Sequence, residues 1–364
     1  MITANWLRQE KALLVALAIA VIAYVGEHSV LEMGQTASML AAAALIATIV
    51  LASMRVAHHA ETLAVKVGDP YGTMILTLSA VAVEVIILAI MMSGESSPTL
   101  VRDTIYAAVM LDINGILGLA ALLGGLKHGE QPYNDDSSKT YGVMILTAMG
   151  ISMIVPEFIP DVKWHYYSAF TIVAMIALYA LFLRMQVGKH SYFFSYSYPR
   201  NEKKAAAEEH HDEESTTASI VTILIGVVLI GALAEFMSAF MDTGLKGTGA
   251  PPAIAAIVVA AISAAPEILT ALRAALRNRM QATVNIAMGA SLSTVILTVP
   301  VMEGIALYTG QPFIMAMSPV QTVMVMITLI AAAINLNDGE TNAIEGMTHF
   351  ILFATFIMLT ALGL

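Results

Sequence analysis

Eleven stretches of this chain stay apolar for roughly 17 to 25 residues, the length at which an α-helix crosses the hydrocarbon core of a bilayer. They fall at about 11–27, 36–57, 72–93, 103–126, 141–159, 164–187, 218–241, 251–276, 281–308, 313–335 and 345–364. A backbone in lipid must satisfy its own polar groups, which leaves helices as the economical fold for such runs. Of 364 residues 58% are hydrophobic and only 12% charged, against about 25% charged in soluble domains. The expectation is an all-α polytopic membrane protein with about 11 transmembrane helices.

One hydrophilic stretch, Lys189 to Thr217, divides the chain and contains PRNEKKAAAEEHHDEEST. With the first helix set aside, five runs precede it and five follow it. An odd number per half makes the second half enter the membrane with opposite polarity, the arrangement of an inverted repeat. The expected organisation is an amino-terminal helix over 1–35, a first five-helix repeat over 36–188, a cytoplasmic acidic linker over 189–217 and a second repeat over 218–364. With the amino terminus cytoplasmic, 14 of the 17 lysines and arginines lie inside, and only Arg102, Lys163 and Lys246 fall outside. That asymmetry predicts a cytoplasmic amino terminus and a carboxyl terminus on the periplasmic or extracellular face. The opening MITANWLRQEKALLVALAIAVIAYVG has the basic-then-apolar layout of a secretory signal, but no small-x-small site follows Val25, so a retained helix is expected.

Glu84 is the only charged residue between Thr73 and Met92, and Glu267 the only one between Pro251 and Leu272. A carboxyl at such a depth costs several kcal/mol unless it has a partner or a job. The neighbouring sequences repeat in order: Leu78-Ser79-Ala80-Val81-Ala82-Val83-Glu84 matches Ile262-Ser263-Ala264-Ala265-Pro266-Glu267, and Ala60-Glu61-Thr62-Leu63-Ala64 matches Ala234-Glu235-Phe236-Met237-Ser238. Thr77 shares the helical face of Glu84, with Ser79 displaced around it, and Ser263, Glu267 and Thr270 form one stripe. Pro266 removes a backbone donor and can free carbonyl oxygens beside Glu267. Carboxylates, hydroxyls and free carbonyls make a hard-oxygen cation site.

Other polar groups lie along the following runs. Asp112 and Asn114 interrupt one, and Asn285, Ser291, Ser293 and Thr294 another, where close helix packing is as good a reason for the small residues as ion contact. A third buried carboxyl, Asp112, is expected to face water or a partner, and Glu303 to lie at the interface. Glu61 and Glu235 would sit at opposite mouths of a central site and suit proton entry and exit; alternatively Glu61 pairs with Arg55, His58 or Lys66. His58 and His59 are expected at the interface. The run Glu208 to Glu214 reads as a solvated linker or a weak metal site. Without cysteine there are no disulfides, thiolate zinc sites or iron–sulfur clusters, and the 24 methionines, spread through the apolar runs, need no copper.

These residues resemble a known family. GDPYGTMILTLSAVAVEVIILAI at Gly68–Ile90, PTLVRDTIYAAVM at Pro98–Met110, and SAAPEILTALRAALRN followed by NIAMGASLSTVILTVPVM are similar to the calcium/proton exchangers of the cation/calcium exchanger superfamily, and to their bacterial ChaA-type branch above all. The resemblance implies an eleven-helix inner-membrane antiporter. It implies that Glu84 and Glu267 bind the cation, that Ser291 and Asn114 match cation-site residues of the two repeats, and that Glu61 and Glu235 match residues of proton handling; Asp112 is a further candidate for an additional proton. Many members carry Gly-Asn before each repeat glutamate, whereas here the stretches read Ala80 to Val83 and Ser263 to Pro266. Two potential oxygen ligands are lost, which weighs towards monovalent cations.

The expected function is exchange of Ca2+, or of Na+ or K+, for H+ by alternating access. No cofactor and no nucleic acid are expected, the partners being inorganic cations, protons and the bilayer; a homo-oligomer is compatible with these readings. A cation channel could use the same carboxylates, but no filter-like repeated loop is visible. An intramembrane hydrolase would need a constellation such as His-Glu-x-x-His or Gly-x-Ser-x-Gly, and neither occurs.

Overall fold

The computed structural model describes residues 10–67, 71–93, 97–188, 190–196, 215–251, 253–310 and 313–364. The run Glu208 to Glu214 lies outside the described residues. Eleven long helices follow one another: α1 (Lys11–Glu32), α2 (Gln35–Val67), α3 (Tyr71–Ser93), α4 (Leu100–His128), α5 (Asp135–Phe158), α6 (Trp164–Val187), α7 (Thr216–Leu245), α8 (Ala253–Leu276), α9 (Met280–Thr309), α10 (Pro319–Asn335) and α11 (Ala343–Ala361). Nine are long and apolar enough to cross a membrane, and the other two, α3 and α10, carry the shorter apolar stretches Thr77–Met92 and Pro319–Asn335. A two-residue antiparallel pair, β1 (Gln131–Pro132) with β2 (Glu340–Thr341), ties the loop after α4 to the loop before α11.

Local signals set the ends. Asn134 caps α5 by accepting from the Asp136 amide, Asn342 caps α11 by accepting from the amides of Ile344 and Glu345, and Ser318 with Gln321 forms a capping box on α10. Gly310 closes α9 with a left-handed φ of 68°. Two helices widen into π turns near mid-span, α4 over Met110–Leu117 and α9 over Thr294–Thr298. α5 does so over Gly150–Ile154 before a 3-10 turn at Val155–Phe158.

The apolar run expected over 36–57 is part of a longer helix. α2 has 33 residues and continues through Arg55, His58, His59 and Glu61. Its polar end is stable because part of it is buried: Glu10, only 1% exposed, accepts from Arg55 Nε at 2.8 Å and again from Arg55 Nη2, and His59 Nε2 stands 3.0 Å from the same carboxylate. The other ring nitrogen of His59 meets the Ser219 hydroxyl of α7 at 3.2 Å. His59 is therefore a buried link among α1, α2 and α7, not an interfacial residue.

α2 and α7 pack along each other. Gly226 makes room for Val56, and Gly244 for Met39. α1 lays a stripe of Leu13, Ala16, Ala20 and Ala23 on this pair and turns Ile22 and Val25 outward to lipid. On the far side α4 meets α11 at backbone distance. A Cβ on Gly118 would stand 2.9 Å from the Phe350 amide nitrogen, and one on Gly346 would collide with the Leu122 backbone. Between these two packed units lie α3, α8 and the π segments of α4 and α9.

Candidate functional site

α3, α4, α8 and α9 enclose a cavity of about 690 Å³. Its deepest lining residues are Glu84 on α3, Ala108 and Asp112 on α4, Ser263 on α8 and Thr294 on α9. From there it widens past Thr77, Thr270 and Asn285 to a mouth formed by Glu61, Tyr141, Phe182, Gln186 and the turn Ser191–Phe194. All the mouth residues belong to the helix ends on one side of the bundle.

The structure brings Glu84 and Glu267 to the same cavity. Glu84 is 2% exposed; its Oε2 accepts from the Thr294 hydroxyl at 2.9 Å, and its Oε1 has no hydrogen-bond partner. Glu267 is half-buried and its Oε2 is also without a partner. Asp112, 2% exposed, is near enough for its charge to act on both glutamates. It accepts from the Ser291 hydroxyl at 3.1 Å.

The hydroxyls around the glutamates are committed as donors to their own helices. Ser79 donates to Ile75 O at 2.7 Å, Ser263 to Ala260 O at 3.0 Å, Thr270 to Pro266 O at 2.9 Å and Ser293 to Gly289 O at 2.7 Å. What remains free on each is an acceptor lone pair. Pro266 leaves the Ile262 carbonyl without its helical donor, next to Ser263. The cavity thus offers oxygen acceptors and unpaired carboxyl oxygens, the ligand set of a hard cation. Among the described residues, no three imidazole or carboxyl groups close around a single ion.

Five sequence expectations are corrected. Asn114 does not reach the cavity: its Nδ2 donates to the Thr328 hydroxyl at 2.7 Å and its Oδ1 accepts from His349 Nδ1 at 2.9 Å, so it joins α4 to α10 and α11. Ser291 does not line the cavity either; it acts on the site only through Asp112. Glu235 is exposed and lies away from the cavity, so only Glu61 of that pair stands at a mouth. Arg55, a partner expected for Glu61, is engaged by Glu10. Glu303 is not interfacial but 2% exposed.

Sequence reasoning missed the mouth. Phe194 packs on Tyr141 and Phe182, with ring centroids 5.4 and 5.6 Å apart. Asn285 donates to Phe194 O at 2.8 Å and Asn134 to Tyr192 O at 2.9 Å. The aromatic run Tyr192-Phe193-Phe194, near the start of the hydrophilic stretch, was the available signal.

Paired carboxyls at mid-span of two apolar helices, lining one cavity, are features of a membrane ion transporter and not of an enzyme. The chain belongs to the sodium/calcium exchanger protein family, whose pattern it matches over residues 37–188 and 218–362. It is 32% identical to the sodium-potassium/proton antiporter ChaA of Escherichia coli, over 85% of this chain and 86% of that one. With the Ca(2+)/H(+) antiporter ChaA of Bacillus subtilis it shares 24% identity, over 86% of this chain and 88% of the other. Its fold matches that of native YfkE with a TM-score of 0.76 at 17% identity, over 96% of this chain and 99% of that one.

Proposed function

We propose that the protein exchanges a hard cation for protons by alternating access at Glu84 and Glu267. The observation that carries this reading is the convergence of two mid-span carboxyls, each with an unpaired oxygen, in one water-accessible cavity. A carboxyl oxygen can hold a proton or coordinate a cation, and the two compete for the same lone pairs. With both glutamates deprotonated the cavity attracts a cation; with both protonated it releases one. Either loaded form is close to neutral, whereas the empty dianionic pair is costly to enclose in a low dielectric. Exchange is thereby coupled without any direct contact between the two cargoes.

Relatives named for both kinds of exchange support two ion choices. The Escherichia coli relative, and the absence of asparagine before either glutamate, favour Na+ or K+. Asp112, a third carboxyl beside the pair, favours Ca2+. Two protons for one Ca2+ would be electroneutral, and a third proton on Asp112 would make the exchange electrogenic. The positive residues support a mouth on the cytoplasmic side of a bacterial inner membrane, and the order of helices supports reading 36–188 and 218–364 as inverted repeats.

The test is reconstitution in vesicles with an imposed proton gradient, adding Ca2+, Na+ or K+ in turn. The cation that collapses the gradient is the substrate. A Glu84→Gln or Glu267→Gln protein that still exchanges at the normal rate would sink the assignment.

A further inference from the structure

A fourth carboxyl is buried away from the cavity. Glu303, on the last turns of α9, is 2% exposed; its Oε1 accepts from the Ser168 hydroxyl of α6 at 3.2 Å, and its Oε2 has no partner. A carboxyl enclosed with one weak hydrogen bond is costly to retain for packing alone. Five residues before it, in the π segment, the Thr298 hydroxyl is fully buried and stands beside Glu84 without closing a hydrogen bond. This π segment packs against both α3, which carries Glu84, and α6, which carries Ser168. Pro300, between Thr298 and Glu303, removes an amide donor and leaves a carbonyl of the π turn spare. Polar groups therefore continue from Glu84 along α9 through the half of the protein that the cavity does not reach.

We propose that Glu303 is a proton-carrying residue of the transport cycle, serving the face of the membrane opposite the open mouth. Helical rise puts Thr298 and Glu303 about 7.5 Å apart along the axis and five residues turn them about 140° around it, so a short chain of water molecules completes the relay. The O–H bond of the Glu303 acid breaks and its proton passes to the first of these waters; each water hands one of its own protons to the next, and the last gives one to Thr298. Thr298 hands its hydroxyl proton to the Glu84 carboxylate. Glu303 ends as the carboxylate and Glu84 as the acid. Among the described residues, the titratable groups around this path are Tyr167 on α6, whose hydroxyl donates to Ile151 O at 2.8 Å, and Glu84 on α3; His165 and Tyr166, on the same outer turn of α6, are exposed.

The proposal rests on the antiport reading, and two readouts separate them. Proteoliposomes of the full chain are assayed for proton flux driven by a cation gradient, and for isotope exchange of the same cation at equal pH, which needs no net proton movement. Glu303→Gln is expected to slow proton flux about 100-fold, the order seen when a positioned proton-transfer group is removed. Isotope exchange stays near the parent rate, and Glu303→Asp recovers proton flux with a displaced pH midpoint. Normal proton flux in Glu303→Gln, or equal loss in both readouts, overturns the proposal. Should Glu303→Gln fail to give a monodisperse protein, Ser168→Ala is read instead: a shifted pH midpoint supports the proposal and an unchanged one overturns it. Parent protein that moves no protons against a cation gradient overturns the antiport reading itself.

Discussion

The Thr294 hydroxyl donates to Glu84 Oε2 across 2.9 Å, although 210 residues separate the two in the chain. One half of the protein thus holds the carboxyl of the other in place. Thr294→Val keeps the shape and removes the donor. A hydrogen bond to a charged group contributes about 1.5 kcal/mol or more, so we predict about a tenfold weaker apparent cation affinity. Thr294→Ser should stay near the parent value. Transport rates against cation concentration check this, and equal KM in parent and Thr294→Val would refute it.

Asn114 gives the opposite expectation. Asn114→Ala removes the partner of both His349 and Thr328 in a buried polar cluster. We predict a stability loss of about 1–3 kcal/mol with the order of cation preference unchanged. Thermal unfolding in detergent and cation competition measure the two effects. A changed selectivity at normal stability would return Asn114 to the ion site.

The α4–α11 contact tolerates no side chain at Gly346, where a Cβ meets Leu122 backbone. Gly346→Val is predicted to cost about 3 kcal/mol by overpacking and to lower the melting temperature by several degrees. Unchanged melting would show that these helices separate more easily than their spacing implies.

Glu10 links acidity to the seating of α1. Burial alone would raise its pKa, but the hydrogen bonds and charges of Arg55 and His59 outweigh burial and hold it below the ordinary 4.5. The depressed value means that its contribution is fully present above the unfolded pKa and is lost as pH falls through the folded one. We predict that α1 loosens only below about pH 4.5, and that Glu10→Gln loosens it at neutral pH. Hydrogen exchange of α1 amides at both pH values tests this; equal protection in Glu10→Gln and parent would refute it.

Run length and isolated charge made much of this legible. Glu84 and Glu267 stood out because no other charge lies between Thr73 and Met92 or between Pro251 and Leu272, and the helix count followed from bilayer thickness. Asn114 and Ser291 were assigned by resemblance alone, which does not say which face a side chain takes in this chain. Asn114 lies inside the Met110–Leu117 π segment, which turns successive side chains through smaller angles. It thereby looks towards His349 while Asp112, two residues earlier, looks into the cavity. Glu235 was assigned by likeness to Glu61, which says nothing of the face a long helix presents. The Glu10–Arg55–His59 link joins residues about 45 positions apart and leaves no periodic trace.

The one-sided cavity has an electrical consequence. Its 690 Å³ is room for on the order of twenty water molecules. Water carries little of a transmembrane voltage, so the field is concentrated in the more tightly packed half beyond Glu84. A charge moving through that half experiences most of the voltage, about 2.3 kcal/mol per elementary charge at 100 mV. Any imbalance between the cation carried one way and the protons carried the other is thus felt over a few helical turns of α9.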